Sequence, residues 1–224
     1  MHDRPLFSVR ETLSNKGKPG DIFRRCLVQA KQFIDSHSVA EVLDYAFTRE
    51  ENRRVVRESV RGFLHVGFLS PYRELTIHDM KDLSKDVGFF SGFSTVTSAV
   101  VSRELGYLEG RGDTPTAIFT AKSGQIHEDC SYVEVFIPNK EEQLIRKWIG
   151  NEVATHVGLI LEQLPAFADI QKAFREEGFQ VAPFMNGKQI DSPDKAASVI
   201  YYEKPHGDGN RKFRIEIFSP YRIS

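Results

Sequence analysis

Two stretches of this chain are close copies of each other. Residues 63–69 read FLHVGFL and residues 154–160 read ATHVGLI, and each pattern predicts a β-strand that carries a histidine. A helical periodicity follows in both places, over 77–87 and 167–177. It ends at Gly88-Phe89 and Gly178-Phe179, 23 and 22 residues beyond His65 and His156. Each half then closes on a matching strand, Val133-Glu134-Val135-Phe136-Ile137-Pro138 and Ile215-Glu216-Ile217-Phe218-Ser219-Pro220. Further strands are predicted over 95–103, 116–121, 181–185 and 197–203, so the order is strand, helix, three strands, twice. The chain is an internal repeat. One such half is a small sheet with one helix and cannot cover both its faces, so the halves must pack together.

The spacing from histidine to glutamate is 69 residues in the first half and 60 in the second. The extra length is predicted around 91–112. Gly110-Arg111-Gly112-Asp113 and His206-Gly207-Asp208-Gly209-Asn210 read as hairpin turns. A short helix over 141–149 links the halves. Residues 1–20 read as a loose arm that ends in the turn Lys18-Pro19-Gly20. Asp21 then caps the first of several helices running to about residue 60, with Ile22, Phe23, Cys26, Leu27, Ala30, Phe33 and Ile34 at helical spacing. The predicted division is an arm with helices over 1–60, a first module over 61–139, a helical linker over 140–151 and a second module over 152–224.

The charged residues inside the strands are the chemical clue. Val133 and Val135 flank Glu134, and Ile215 and Ile217 flank Glu216. If those β-branched neighbours face the helices, both glutamates face the other side of the sheet. The same alternation applies to His65 and His156. Two imidazoles and two carboxylates on one concave surface form a nitrogen and oxygen donor set suited to a divalent transition metal. The metal charge would also offset the cost of burying two carboxylates.

These segments, in this order, resemble the vicinal oxygen chelate superfamily, which includes glyoxalase I, methylmalonyl-CoA epimerase, the extradiol dioxygenases and fosfomycin-resistance proteins. The resemblance covers about residues 61–222. It implies an α+β fold of two tandem βαβββ modules, forming a curved mixed sheet around a central cavity, here with an N-terminal helical extension. It implies that His65, Glu134, His156 and Glu216 ligate one divalent metal: Zn, Ni, Mn or Fe. Two vicinal oxygens of a small oxygenated metabolite would bind that metal, which would stabilise an enediolate or similar oxyanion. Glu134 or Glu216 would act as the base. The expected activity is isomerase, epimerase or lyase chemistry of the glyoxalase type. The 60-residue helical N-terminus and the long first module depart from the family, and no substrate motif carries over.

Three other readings of the same residues stand beside this one. His65, His156 and Glu216 alone make a two-histidine, one-carboxylate triad suited to a non-haem Fe(II) dioxygenase. The fold could also bind a ligand or metal without catalysis. A duplicated fold without metal would keep simple His–Glu hydrogen bonds. Arg214 shares strand parity with Glu216, and it reads either as an anion-holding residue or as a rim salt bridge. His127, His78 and His206 read as polar surface residues, and Arg111-Gly112-Asp113 as a plain turn.

Composition narrows the classes of partner. In 224 residues there are 30 Lys plus Arg against 31 Asp plus Glu, a net charge of −1, which argues against a nucleic-acid binder. No apolar run approaches membrane-spanning length. Hydrophobic residues make up 40% and there are 17 Phe, enough for a packed core. The two cysteines, Cys26 and Cys130, imply no disulfide framework and read as free thiols. The N-terminus lacks the apolar core of a signal peptide. The expectation is a cytoplasmic protein that binds a small-molecule substrate, with a homodimer left open.

Overall fold

The computed structural model describes residues 6–124, 130–162, 167–185, 190–191, 198–206 and 211–219. Among these are eight α-helices and nine strands, an α+β architecture. The strands belong to one mixed, unclosed sheet with the order β2-β3-β4-β1-β5-β9-β8-β6, and β7 pairs with β8. The chain divides into two compact units, one comprising residues 7–36 and 65–155, the other 1–6, 37–64 and 156–224.

The first of these units contains β1 from His65 onward (the strand spans Val60–Leu69), α5 (Ile77–Val87), β2 (Ser91–Thr97), α6 (Ala99–Glu109), β3 (Thr116–Lys122) and β4 (Tyr132–Pro138). Strands β2, β3 and β4 form an antiparallel run, and β4 lies parallel to β1. Thr76 and Asp79 make a reciprocal capping box at the start of α5, and Gly88 ends it at φ 97°. That left-handed conformation favours glycine. Helices α1 (Arg10–Ser14) and α2 (Pro19–Ser36) belong to this unit, with α2 against α5 and β4. Here α7 (Glu142–Gly150) also packs beside α1. Its Arg146 donates to the Leu13 carbonyl at 2.7 Å.

The other unit repeats the plan with β5 (His156–Leu161), α8 (Phe167–Glu176), β6 (Gln180–Val181), β7 (Ile190–Asp191), β8 (Ser198–His206) and β9 (Arg211–Ser219). Strand β9 is parallel to β5 and antiparallel to β8, which pairs with β6. Gly178 follows α8 at φ 81°, the counterpart of Gly88. Helices α3 (Val39–Ala46) and α4 (Glu50–Ser59) belong here, and α4 lies against α8. Each module helix is therefore backed by one N-terminal helix. The core of this unit is aromatic: Phe47, Phe174 and Phe179 pack on one another, and Phe174 stacks on Tyr202 with centroids 4.2 Å apart.

Several sequence expectations are corrected. The strand predicted over 95–103 is the end of β2 followed by α6. Ser98 caps α6 by accepting from the Val101 amide, and Val101, Ser102 and Leu105 form its buried face. The β-branched pair Val100-Val101 imitates a strand, but this cap and the i, i+4 apolar spacing favour the helix. The residues 110–113 are not a hairpin turn; Gly110 terminates α6 at φ 63°, and the following loop leads into β3. The additional length of the first module is thus a helix, within the stretch predicted for it. The strand predicted over 181–185 ends at Val181, and Pro183–Met185 is a single 3-10 turn. Residues 6–20 are not a loose arm, because α1 begins at Arg10 and α2 at Pro19 rather than after an Asp21 cap. A proline in the first turn of a helix loses no backbone hydrogen bond. The expected polar residue His127, and the tip of the turn at residues 207–210, lie outside the described residues.

Candidate metal centre

Both modules build a His–Glu pair by the same register. On β1 and β4, His65 is opposite Tyr132 and Gly67 is opposite Glu134. On β5 and β9, Gly158 is opposite Glu216, with His156 two residues before that glycine. In each case the histidine and the glutamate share one face of neighbouring parallel strands. The glycine between them has no side chain to crowd the carboxylate. The sequence HVG, present in both halves, is the local cause of this geometry.

The opposite face of each last strand is core. Val133, Val135, Ile215 and Ile217 are all fully buried, as the alternation predicts. His65 is fully buried and its ring stacks on Tyr132, with centroids 4.5 Å apart and planes 9° from parallel. His156 Nε2 lies 3.4 Å from Glu216 Oε2, and the two side chains are 0% and 5% exposed. The His156 ring also meets the Tyr201 ring edge-on at 5.1 Å. Glu134 differs from Glu216 in being partly exposed.

Each unit thus brings one histidine and one glutamate together, His65 with Glu134 and His156 with Glu216, and each of these side chains can offer one ligand atom. Nitrogen from neutral imidazole and oxygen from carboxylate suit a divalent transition metal. Buried imidazoles and a buried carboxylate fit that use, since an ionised carboxylate away from water needs a cation or strong donors.

Other candidates fall where the simpler readings put them, with one exception. His78 is exposed and pairs with Asp82 at 3.3 Å. Cys26 and Cys130 are free thiols, and burial pushes the Cys26 thiol up to about 12. Arg214 is an ion-paired residue, but not at a rim: it donates to Glu203 at 3.0 Å with side chains 7% and 6% exposed. Tyr132, Tyr201 and Glu203 are not singled out by the sequence. The parity that links Arg214 to Glu216 applies equally to Tyr132 and Glu134.

Methylmalonyl-CoA epimerases are among the structural neighbours of this chain. One is a methylmalonyl-CoA epimerase in complex with methylmalonyl-CoA and NH4+, at 16% identity and TM-score 0.41, covering 72% of this chain and 93% of that one. A variant of the Streptomyces coelicolor enzyme in complex with 2-nitronate-propionyl-CoA has 14% identity and TM-score 0.41, over 72% of this chain and 96% of its own. The Mycobacterium tuberculosis epimerase has 8% identity and TM-score 0.40, over 70% and 85%. No protein-family model and no curated protein matches the sequence. Among the described residues no helix is long and apolar enough to cross a membrane.

Proposed function

We propose that the chain is a metal-dependent enzyme of the glyoxalase type, an isomerase, epimerase or lyase acting on a small oxygenated metabolite. Its His65–Glu134 and His156–Glu216 pairs would share one divalent metal. The observation that carries this reading is the repeated register, Gly67 opposite Glu134 and Gly158 opposite Glu216, each with a histidine two residues before the glycine. A structural histidine needs no such duplication, whereas a four-ligand centre does.

The bound metal would supply Lewis-acid stabilisation to a substrate oxyanion. The chain supplies the rest. His65 is held in orientation by its stacking on Tyr132, and His156 by Tyr201 and Glu216. Glu216, buried beside His156, has little freedom to move. Glu134, partly exposed, has room to take a proton from substrate carbon and return it.

That same difference favours a second reading, in which His65, His156 and Glu216 hold Fe(II) and the protein is a dioxygenase. Metal analysis of the purified protein, with oxygen consumption measured alongside, tests both. A protein that takes up no Zn²⁺, Ni²⁺, Mn²⁺ or Fe²⁺ refutes both. Activity that persists anaerobically rejects the dioxygenase, and activity that consumes oxygen rejects the isomerase or lyase.

A further inference from the structure

The two modules differ at a matched square of four residues. In the first module, across β3 and β4, Lys122 is opposite Tyr132 and Thr120 is opposite Glu134. In the second, across β8 and β9, Glu203 is opposite Arg214 and Tyr201 is opposite Glu216. Residues opposite one another, and residues two apart along a strand, point to the same face of a sheet. The second square is closed: Arg214 donates to Glu203 at 3.0 Å with both side chains buried, and Tyr201 is 2% exposed. All four residues of the first square are partly exposed.

Lys122 is the cation of the open square. Lysine is depleted in strands, and β3 lies between β2 and β4, so Lys122 is not one of the lysines that guard a sheet edge. Its cross-strand partner is a neutral ring, whereas the second module sets an arginine against an acid. Among the described residues Lys122 takes part in no ion pair. Lys122, Tyr132 and His65 form one row across β3, β4 and β1, with the Tyr132 ring stacked on His65. Glu134 is diagonal to Lys122, and diagonal neighbours about 7–8 Å apart are within reach of a long side chain. Solvent reaches both residues, so this face is open to a small ligand.

We propose that Lys122 is a specificity-determining residue, and that the substrate carries a carboxylate bound to Lys122 while its reacting carbon lies at Glu134. This inference rests on the metal reading, in which the metal takes the charge of Glu134 and leaves the ammonium to the ligand, and it adds the charge class of the substrate. One ammonium balances one carboxylate, whereas a phosphate group carries about −1.5 to −2 at neutral pH. Thr120 supports the same placement. It stands where the second module has the Tyr201 ring, so the first module keeps a smaller side chain beside its glutamate.

The test uses the full chain loaded with Zn²⁺ and three probes followed by calorimetry. Acetohydroxamate chelates a metal through two neighbouring oxygens. Succinic monohydroxamate adds a carboxylate to that chelate, and its amide is the neutral counterpart. The carboxylate form is expected to bind about 5- to 10-fold more tightly than the amide, between the scale of an exposed ion pair and that of a charge-assisted hydrogen bond. Lys122→Met keeps the length of the side chain and should abolish this preference while acetohydroxamate binds as before. Lys122→Arg should keep the preference. Equal binding of the carboxylate and amide forms, or a preference that survives Lys122→Met, overturns the inference and leaves the metal reading standing. A protein that binds neither Zn²⁺ nor acetohydroxamate overturns the metal reading, and this inference with it.

Discussion

His156 and Glu216 sit side by side in the interior, Nε2 to Oε2 3.4 Å, with side-chain exposures of 0% and 5%. The pairing joins the start of one strand to the middle of its parallel neighbour. Parallel pairing requires the long crossover that α8, β6 and β8 supply.

If both modules contribute to one centre, His65→Ala and His156→Ala should each remove a metal ligand. Each substitution is expected to lower Zn²⁺ affinity by more than the roughly 10- to 100-fold cost of losing an outer partner. Competition against a chromophoric chelator measures this. A large loss in one variant with no change in the other would contradict a shared centre.

Glu134→Gln separates the two enzymatic readings. Glutamine keeps one oxygen for a metal but cannot take a proton at neutral pH. If Glu134 is the base, turnover should fall by about 10²- to 10⁴-fold with metal content retained. In the dioxygenase, where Glu134 only supports the ligands, the expected loss is about 10- to 100-fold. Steady-state rates on metal-loaded protein give the answer.

Glu177, just past α8, holds the start of α4. Its carboxylate accepts from the Thr48 amide at 2.7 Å, the Thr48 hydroxyl at 2.9 Å, the Arg49 amide at 2.9 Å and Asn52 at 3.0 Å. Partial burial pulls its pKa up, but the bonds from Thr48, Asn52 and Arg49 together outweigh burial and hold it below the ordinary 4.5. The folded form therefore favours the carboxylate. The stabilisation is fully present above pH 4.5 and is lost as pH falls through the lowered value. Glu177→Ala should cost about 1–2 kcal/mol, the scale of a lost helix cap. Urea unfolding at neutral pH should show this deficit, and it should shrink in acid.

Gly106 runs against the usual helix rule. Replacing glycine by alanine within a helix ordinarily stabilises by about 0.5–1 kcal/mol. Here a Cβ would lie 2.5 Å from the Gly112 carbonyl oxygen and 2.9 Å from the Asp113 Cα, both backbone atoms. Gly106→Ala should therefore destabilise, by about 1–3 kcal/mol as for other overpacked sites. A thermal melt that moves upward would refute this close approach.

Much of the geometry of the candidate site is legible in the amino-acid sequence. The HVG copies, the paired Gly-Phe helix ends and the flanked glutamates mark four residues, because strand alternation and helix termination are local rules written in neighbouring side chains. The helix over 77–87 is readable to the residue, since Thr76, Asp79 and Gly88 cap it within its own sequence. Where local signals conflict, the sequence misleads: Val100-Val101 resembles a strand, but the Ser98 cap and the buried face that Val101 and Leu105 share make this segment α6. The tertiary structure alone decides which strands are neighbours. That choice sets Gly67 against Glu134 and Gly158 against Glu216, buries Arg214 against Glu203, and assigns α2 and α4 to different modules. A sequence states which way a side chain alternates, but register depends on contacts between residues tens of positions apart, which form only when the sheet assembles.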